Sequence, residues 1–177
     1  LVGSEMCIRD RAYREILDFE KRQGIHFEYI FLASSTNATQ SGLLAGSLKA
    51  GDNRKIVGIS VSRNEARGKE VIGHGLEEYG EKFSWKLPGD FREHILFTDA
   101  YMEGGYGAFS ENVAEMIREV YGEDGIPLDM TYTGKAFYGM VKYLKENKIR
   151  DKNILFLHTG GTPLFFDFLK QEDGLQP

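Results

Sequence analysis

The sequence predicts an α/β fold in which an open, mostly parallel sheet is flanked by helices. Three observations carry that prediction. Short runs rich in β-branched and aromatic residues alternate with segments whose apolar residues recur at helical spacing. The stretch from Phe27 to Tyr79 reads as one complete strand, helix, strand unit. The segments after the strand candidates are small and polar, and such sheets bind ligands at the carboxyl ends of their strands.

Leu1 to Arg11 shows no period that continues into the following residues, and the string resembles a translated sequencing-adaptor read. Residues 1–11 are therefore expected to be a non-native leader or assembly scar, with a short native tail as the alternative. Residues 12–177 are then the folded part, and Cys7 carries no functional weight. From Ala12 to Lys21, Tyr13, Ile16, Leu17 and Phe19 give a helical stripe that Gly24 can cap. Phe27 to Ala33 reads as a strand, and the polar run Ser34 to Ser41 leads into a small-residue helix from Gly42 to Leu48. Gly51, Asp52 and Asn53 break that helix, and Lys55 to Val61 reads as a second buried strand. Asn64 to Tyr79 follows as a helix with Val71, Ile72 and Leu76 on one side. Ile95 to Thr98 is a short strand, and Glu103 to Gly107 is a loop that few regular structures accommodate. Ser110 can cap a helix that buries Val113, Ile117 and Val120, and Pro127 ends that connection. Thr133 can cap a further helix bearing Phe137, Met140, Val141 and Leu144, and Asn153 to His158 reads as a final buried strand.

Composition narrows the function classes. With 177 residues the chain suits one domain or a domain and a half, taking about 150 residues per domain as a prior. A lone cysteine forms no internal bridge, which excludes a disulfide-stapled secreted scaffold and makes a reducing, cytoplasmic compartment the expectation. No metal cluster is expected. Apolar stretches such as Tyr29 to Ala33 and Ile154 to Leu157 fall far short of the ~20 residues a membrane helix needs. A net charge of −5 without a Lys/Arg block argues against a nucleic-acid binder. Small anions remain admissible, since backbone amides bind them without net positive charge.

Chemistry is expected in three places. Thr36 to Thr39 presents backbone N–H groups at a helix start, with the Thr36 and Thr39 hydroxyls as further donors, which makes an anion site or an ordinary hydroxyl-rich cap. The glycine and lysine spacing of a Walker loop is absent. Tyr132 to Ala136 lies between an extended approach and a helix, so Tyr132 either faces a ligand or packs half-buried. In His158 to Thr162 the paired glycines let a planar group approach the backbone, while His158 itself reads as a hydrogen-bonded residue at a strand end.

In this order, Ser34 to Gly42, Gly105 Tyr106 Gly107, Tyr132 Thr133 Gly134 Lys135 and His158 Thr159 Gly160 Gly161 carry a family resemblance. From Ala12 to about Phe168 the chain resembles the C-terminal half of the D-cysteine desulfhydrase and 1-aminocyclopropane-1-carboxylate deaminase family. These are pyridoxal 5'-phosphate enzymes with a tryptophan-synthase-β-like (fold type II) architecture, and the resemblance implies a larger cofactor-binding domain truncated at its N-terminal side. It implies that Thr36, Asn37, Ala38 and Thr39 hold the cofactor phosphate. Asn37 stands where glycine is common, and Asn tolerates positive φ better than most residues. Tyr106 and Tyr132 correspond to active-site tyrosines near the substrate, Thr159 to the residue whose hydroxyl meets the pyridine nitrogen, and Gly160 to its neighbour in the cofactor-binding turn. Deaminases carry an acidic residue after the second tyrosine and an apolar residue in the His-x-Gly-Gly turn, whereas this chain has Thr133 and Thr159, as on the desulfhydrase side.

The implied reaction is α,β-elimination from D-cysteine or a related β-substituted amino acid to pyruvate, ammonia and hydrogen sulfide. A deaminase or an L-cysteate-type lyase is the alternative, and a non-catalytic α/β module binding a phosphorylated ligand is the alternative of another class. The family's Schiff-base lysine is expected in the half that precedes Ala12, so the 177 residues alone are expected to be inactive. Lys135 is read as a surface or helix-start lysine. The expected partner is a small amino-acid substrate, with a homodimer for the whole enzyme because relatives form one.

Overall fold

The computed structural model describes the backbone of residues 2–172 and the side chains of residues 11–170. Four parallel strands, β1 (Tyr29–Ser34), β2 (Lys55–Ser60), β3 (Leu96–Thr98) and β4 (Ile154–Leu157), form one sheet in the order β3-β2-β1-β4. Six helices accompany them: α1 (Val2–Gln23), α2 (Ala38–Ala50), α3 (Glu65–Lys82), α4 (Glu111–Asp124), α5 (Thr133–Glu146) and α6 (Thr162–Glu172).

The register pairs Tyr29 with Lys55 and with Ile154, so β1 is central and alternate residues feed opposite layers. Ile30 and Leu32 pack with Tyr13 of α1, Leu43 and Leu44 of α2, and Ile72 and Leu76 of α3. Phe31 points the other way, joining Val57 and Ile59 against Ala136 and Met140 of α5. Beyond that layer Val113, Ile117 and Val120 of α4 cluster with Phe165 and Phe168 of α6. Each fully buried side chain of this kind contributes about 1.5–3 kcal/mol.

The chain runs outward from β1 through β2 to β3, then returns through α4 and α5 to place β4 on the far side of β1. Between β1 and β4 the direction of winding therefore reverses, and the loops leaving their carboxyl ends part around a crevice. A buried polar cluster sits at the opposite end. The Arg54 guanidinium, fully buried, is bonded to Glu20 at 2.8 Å and to Asp52 at 2.6 Å, and the Tyr13 hydroxyl donates to Asp52 at 2.5 Å.

Several expectations shift. α1 continues back to Val2, so the backbone of residues 2–11 is helical, while the side chain of Cys7 lies outside the described residues. α2 begins at Ala38, because Ala38 to Ser41 can be helical once Asn37 supplies the entry turn. Ser110 precedes α4 without a side-chain capping bond; its hydroxyl donates to Glu103 instead. Thr133 is the first residue of α5, its cap position being Tyr132. Val141 is largely exposed, since Met140 and Ala136 hold the stripe facing the sheet. β4 is half-buried throughout because it is an edge strand. α6 was not expected, as its apolar run follows Gly161 and Pro163 without a clear polar face.

Candidate active site

β1 delivers Ser34 to the mouth of the crevice, where its buried hydroxyl lies 3.1 Å from Asn37 Oδ1 and 2.9 Å from Gln40 Oε1. Asn37 turns the chain into α2 with φ 68° and ψ −3°, the left-handed conformation that Asn adopts more readily than other non-glycine residues. Its side chain does not cap α2. Instead Asn37 Nδ2 donates to the Gly68 carbonyl at 3.0 Å, tying the turn to α3. The first helical bond runs from Ser41 N to Asn37 O at 2.9 Å, which leaves the amides of Ala38, Thr39 and Gln40 outside the helical ladder.

Beside this helix start lies a cavity of about 210 Å³ lined by Ala33, Ser34, Ser35, Thr36, Asn37, Thr39, Tyr132 and Thr159. The helix start supplies partial positive charge, and its open amides supply donors, which together suit a phosphate. Of the residues singled out from sequence, Thr36, Asn37, Thr39, Tyr132 and Thr159 thus share one cavity. Ala38, the first residue of α2, and Gly160, which follows Thr159 with φ 115°, stand outside that lining.

Tyr132 is placed by Asp129, which is completely buried. Asp129 Oδ1 accepts from the amides of Thr131 at 2.9 Å and Tyr132 at 2.7 Å, and Oδ2 accepts from the Thr133 amide at 2.9 Å and hydroxyl at 2.7 Å. Tyr106 stands outside the cavity lining but meets Tyr132. It projects from a loop in which Glu103, Gly104, Gly105 and Gly107 all have positive φ, and its hydroxyl lies 2.5 Å from that of Tyr132. The rings meet edge to face at 5.8 Å. The bond to Tyr106 and partial burial hold the Tyr132 phenol above its ordinary value. Glu103 anchors the loop by accepting from Ser110 Oγ at 2.6 Å and Asn112 Nδ2 at 3.0 Å, and the Ser110 bond holds its carboxyl below the usual range despite some desolvation.

His158 stands outside the cavity lining. Its Nε2 donates to the Pro127 carbonyl at 2.9 Å, the hydrogen-bonded strand-end role that its position suggested. Lys135 corrects the sequence reading. It does begin α5, but it is completely buried rather than on the surface, and its ammonium donates to the Gly105 carbonyl. Burial pushes its amine below the ordinary lysine value, although Glu103 and Asp129 pull it back up.

Sequence reasoning also missed Asp129 and Gln40. Gln40 is buried and its Nε2 donates to Leu96 O at 2.7 Å and Ile56 O at 3.3 Å, fixing the start of α2 across β2 to β3. A signal for it existed in Gly58, a glycine inside an apolar strand, which marks a close approach. A Cβ there would sit 1.9 Å from Gln40 Oε1. Among the described residues no group of three or more His, Cys, Asp or Glu side chains is placed to hold a metal, and no helix is long and apolar enough to cross a membrane.

A parallel sheet wound in both directions, with three polar segments converging at its reversal point, is the architecture of an α/β enzyme domain. The chain belongs to the pyridoxal-phosphate dependent enzyme family, whose model matches residues 6–160. It is 31% identical over 158 residues to the "Putative 1-aminocyclopropane-1-carboxylate deaminase" of Pyrococcus abyssi, covering 89% of this chain and 46% of that protein. It is 29% identical to the D-cysteine desulfhydrase of Serratia proteamaculans, covering 89% and 47%. A crystal structure of an ACC deaminase homologue superposes with a TM-score of 0.80 at 31% identity, covering 95% of this chain and 49% of that one. The chain thus spans about half the length of the curated relatives it matches. The cofactor of its family is pyridoxal phosphate.

Proposed function

We propose that this chain is the part of a pyridoxal-phosphate-dependent lyase that holds the cofactor phosphate and presents two phenols to the substrate. The observation that carries the reading is the open start of α2, beside which Thr36, Asn37, Thr39, Tyr132 and Thr159 line one cavity. In this reading Thr36, Asn37, Ala38 and Thr39 bind the phosphate, and Thr159 offers its hydroxyl to the pyridine nitrogen. When bound, pyridoxal phosphate supplies an electron sink for the pair left at the substrate Cα.

The chain's own residues do the rest of what is assigned here. Asn37, braced on Gly68, keeps the turn open for an anion. Tyr106 and Tyr132 hold a proton between their hydroxyls at the rim, where a departing thiolate needs one. Asp129 fixes the backbone of Tyr132 so that its ring stays at the cavity.

The favoured reaction converts D-cysteine and water to pyruvate, ammonia and hydrogen sulfide. Thr133 supports a desulfhydrase over a deaminase, because its hydroxyl lies 2.7 Å from the buried Asp129 carboxylate. An acidic side chain at 133 would bring a second negative charge into that buried contact. Thr159 supports it too, since the resemblance puts an apolar residue at that turn in deaminases, and a hydroxyl there can hydrogen-bond the pyridine nitrogen where an apolar side chain cannot. The likeness to the Pyrococcus abyssi protein named as a deaminase keeps aminocyclopropane carboxylate as the second substrate to test.

The test is a gene in which this segment runs on from the half supplied in its longer relatives, assayed for sulfide from D-cysteine and for 2-oxobutanoate from aminocyclopropane carboxylate. Sulfide release with a cofactor absorbance band supports the reading. The second product alone moves it to deamination, and neither product with no cofactor band overturns it. The 177 residues alone are expected to bind phosphate weakly without turnover.

A further inference from the structure

We infer that Lys135 is a positioning residue that locks the two tyrosine-bearing segments together, so that Tyr106 and Tyr132 meet hydroxyl to hydroxyl. Lys135 lies in the first turn of α5, three residues after Tyr132, and no part of it reaches solvent. A lysine is rarely fully buried unless its ammonium is paired, so its place has a structural cause. Its ammonium donates to the carbonyl of Gly105, the residue directly before Tyr106. That bond ties the centre of the glycine loop to the start of α5.

The loop needs such a tie. Glu103, Gly104, Gly105 and Gly107 all have positive φ, and glycine-rich backbone of this kind has many competing conformations when unrestrained. Two internal turns close it, Gly105 N to Met102 O and Ala108 N to Gly105 O, but neither fixes it to the rest of the fold. Glu103 holds its first residue by way of Ser110 and Asn112 at the start of α4 and of Tyr138 in α5. Lys135 holds its centre. Tyr106, which is 59% exposed, has little packing of its own to set its direction.

The charge also matches both segments. Lys135 interacts electrostatically with Glu103, on the Tyr106 loop, and with Asp129, whose carboxylate accepts from the Tyr132 amide. One cation thus interacts with both anions that anchor the two tyrosines. Losing it leaves the buried Asp129 carboxylate without this cation and leaves the Gly105 carbonyl only its turn bond from Ala108 N.

The inference rests on the reading of Tyr106 and Tyr132 as reaction-site groups, but its test uses the 177-residue chain without cofactor. Tyrosine labelled with carbon-13 at the phenolic carbon reports the ionisation of each phenol by NMR, and amide hydrogen exchange reports the loop. In Lys135→Met the bond from Tyr106 is expected to be lost, and the raised Tyr132 phenol to move down toward its ordinary value. Exchange in the Glu103 to Ala108 segment is expected to rise about tenfold or more, the effect of losing one charge-assisted hydrogen bond. Lys135→Arg, which keeps charge and donors, is expected to restore the pairing, and Lys135→Gln to fall between. A folded Lys135→Met chain with unchanged tyrosine pairing and unchanged loop exchange overturns the proposal.

Where Lys135→Met fails to fold, Lys135→Gln and the wild-type lysine decide. The wild-type ammonium protons are expected to be protected from exchange, with contacts to Gly105 and Tyr106. Unprotected ammonium protons, or Lys135→Gln pairing equal to wild type, overturn the proposal. Pyridoxal phosphate binding is measured separately, on the whole enzyme that carries this segment. Its failure beside a positive lysine result overturns the lyase reading alone, and the converse outcome overturns only the role of Lys135.

Discussion

Gly161 lies against Asp129 so closely that a Cβ at position 161 would sit 2.2 Å from Asp129 Oδ2. This contact sets the two walls of the cavity in register. Asp129 carries the backbone of Tyr132, and Gly161 closes the turn that carries Thr159, so backbone packs directly on a buried carboxylate.

Gly161→Ala is therefore expected to disturb the site and not only the fold. Gly160 and Gly161 both have positive φ, at 115° and 90°, so alanine at either is strained by about 1–2 kcal/mol. Only position 161 meets the carboxylate, which adds about 1–3 kcal/mol of overpacking. Urea denaturation should find Gly161→Ala the less stable of the two, and only this variant should alter the Tyr132 resonance.

Tyr106→Phe removes the bond that raises the Tyr132 phenol, so the Tyr132 titration is expected to move down toward its ordinary value. NMR of labelled tyrosine measures it. In the whole enzyme the same change should lower kcat more than it raises KM, the pattern for a group used in the transition state.

Asn37 combines a left-handed backbone with two buried hydrogen bonds. Asn37→Gly keeps the geometry and loses the bonds, at an expected cost of about 1–3 kcal/mol. Asn37→Ala adds about 1–2 kcal/mol of backbone strain. Denaturation should rank wild type, glycine and alanine in that order, and phosphate binding should fall furthest in the alanine variant.

Acid should loosen the far end of the sheet, where Asp52 sits. Burial raises the Asp52 carboxyl, but the bonds from Tyr13 and Arg54 outweigh it and hold the group below its ordinary value of 3.8. A carboxyl depressed by folding adds stability above its unfolded value and loses it as pH falls through the folded one. Stability should therefore decline as pH drops below about 4. Asp52→Asn should start less stable at neutral pH and lose less on acidification, as followed by circular dichroism.

What the sequence by itself determined is local. The alternation of strands and helices, the parallel unit around β1 and β2, the loop after β1, and the turn at Thr159 follow from residues a few positions apart, whose spacing fixes period and turn chemistry. Asn37 was legible for the same reason, since a positive φ is a property of one residue. Tertiary structure alone decided which polar side chains are buried and what they meet. Lys135 looks like a surface lysine until the Gly105 carbonyl, thirty residues earlier, arrives above it. Gln40 looks like any helix residue until β2 offers a gap at Gly58 and β3 a carbonyl at Leu96. β4 looks like a buried strand until the order of the sheet leaves it at an edge. A buried polar group is stable only if its partner is present, and these partners lie far away in sequence, where no local pattern records them.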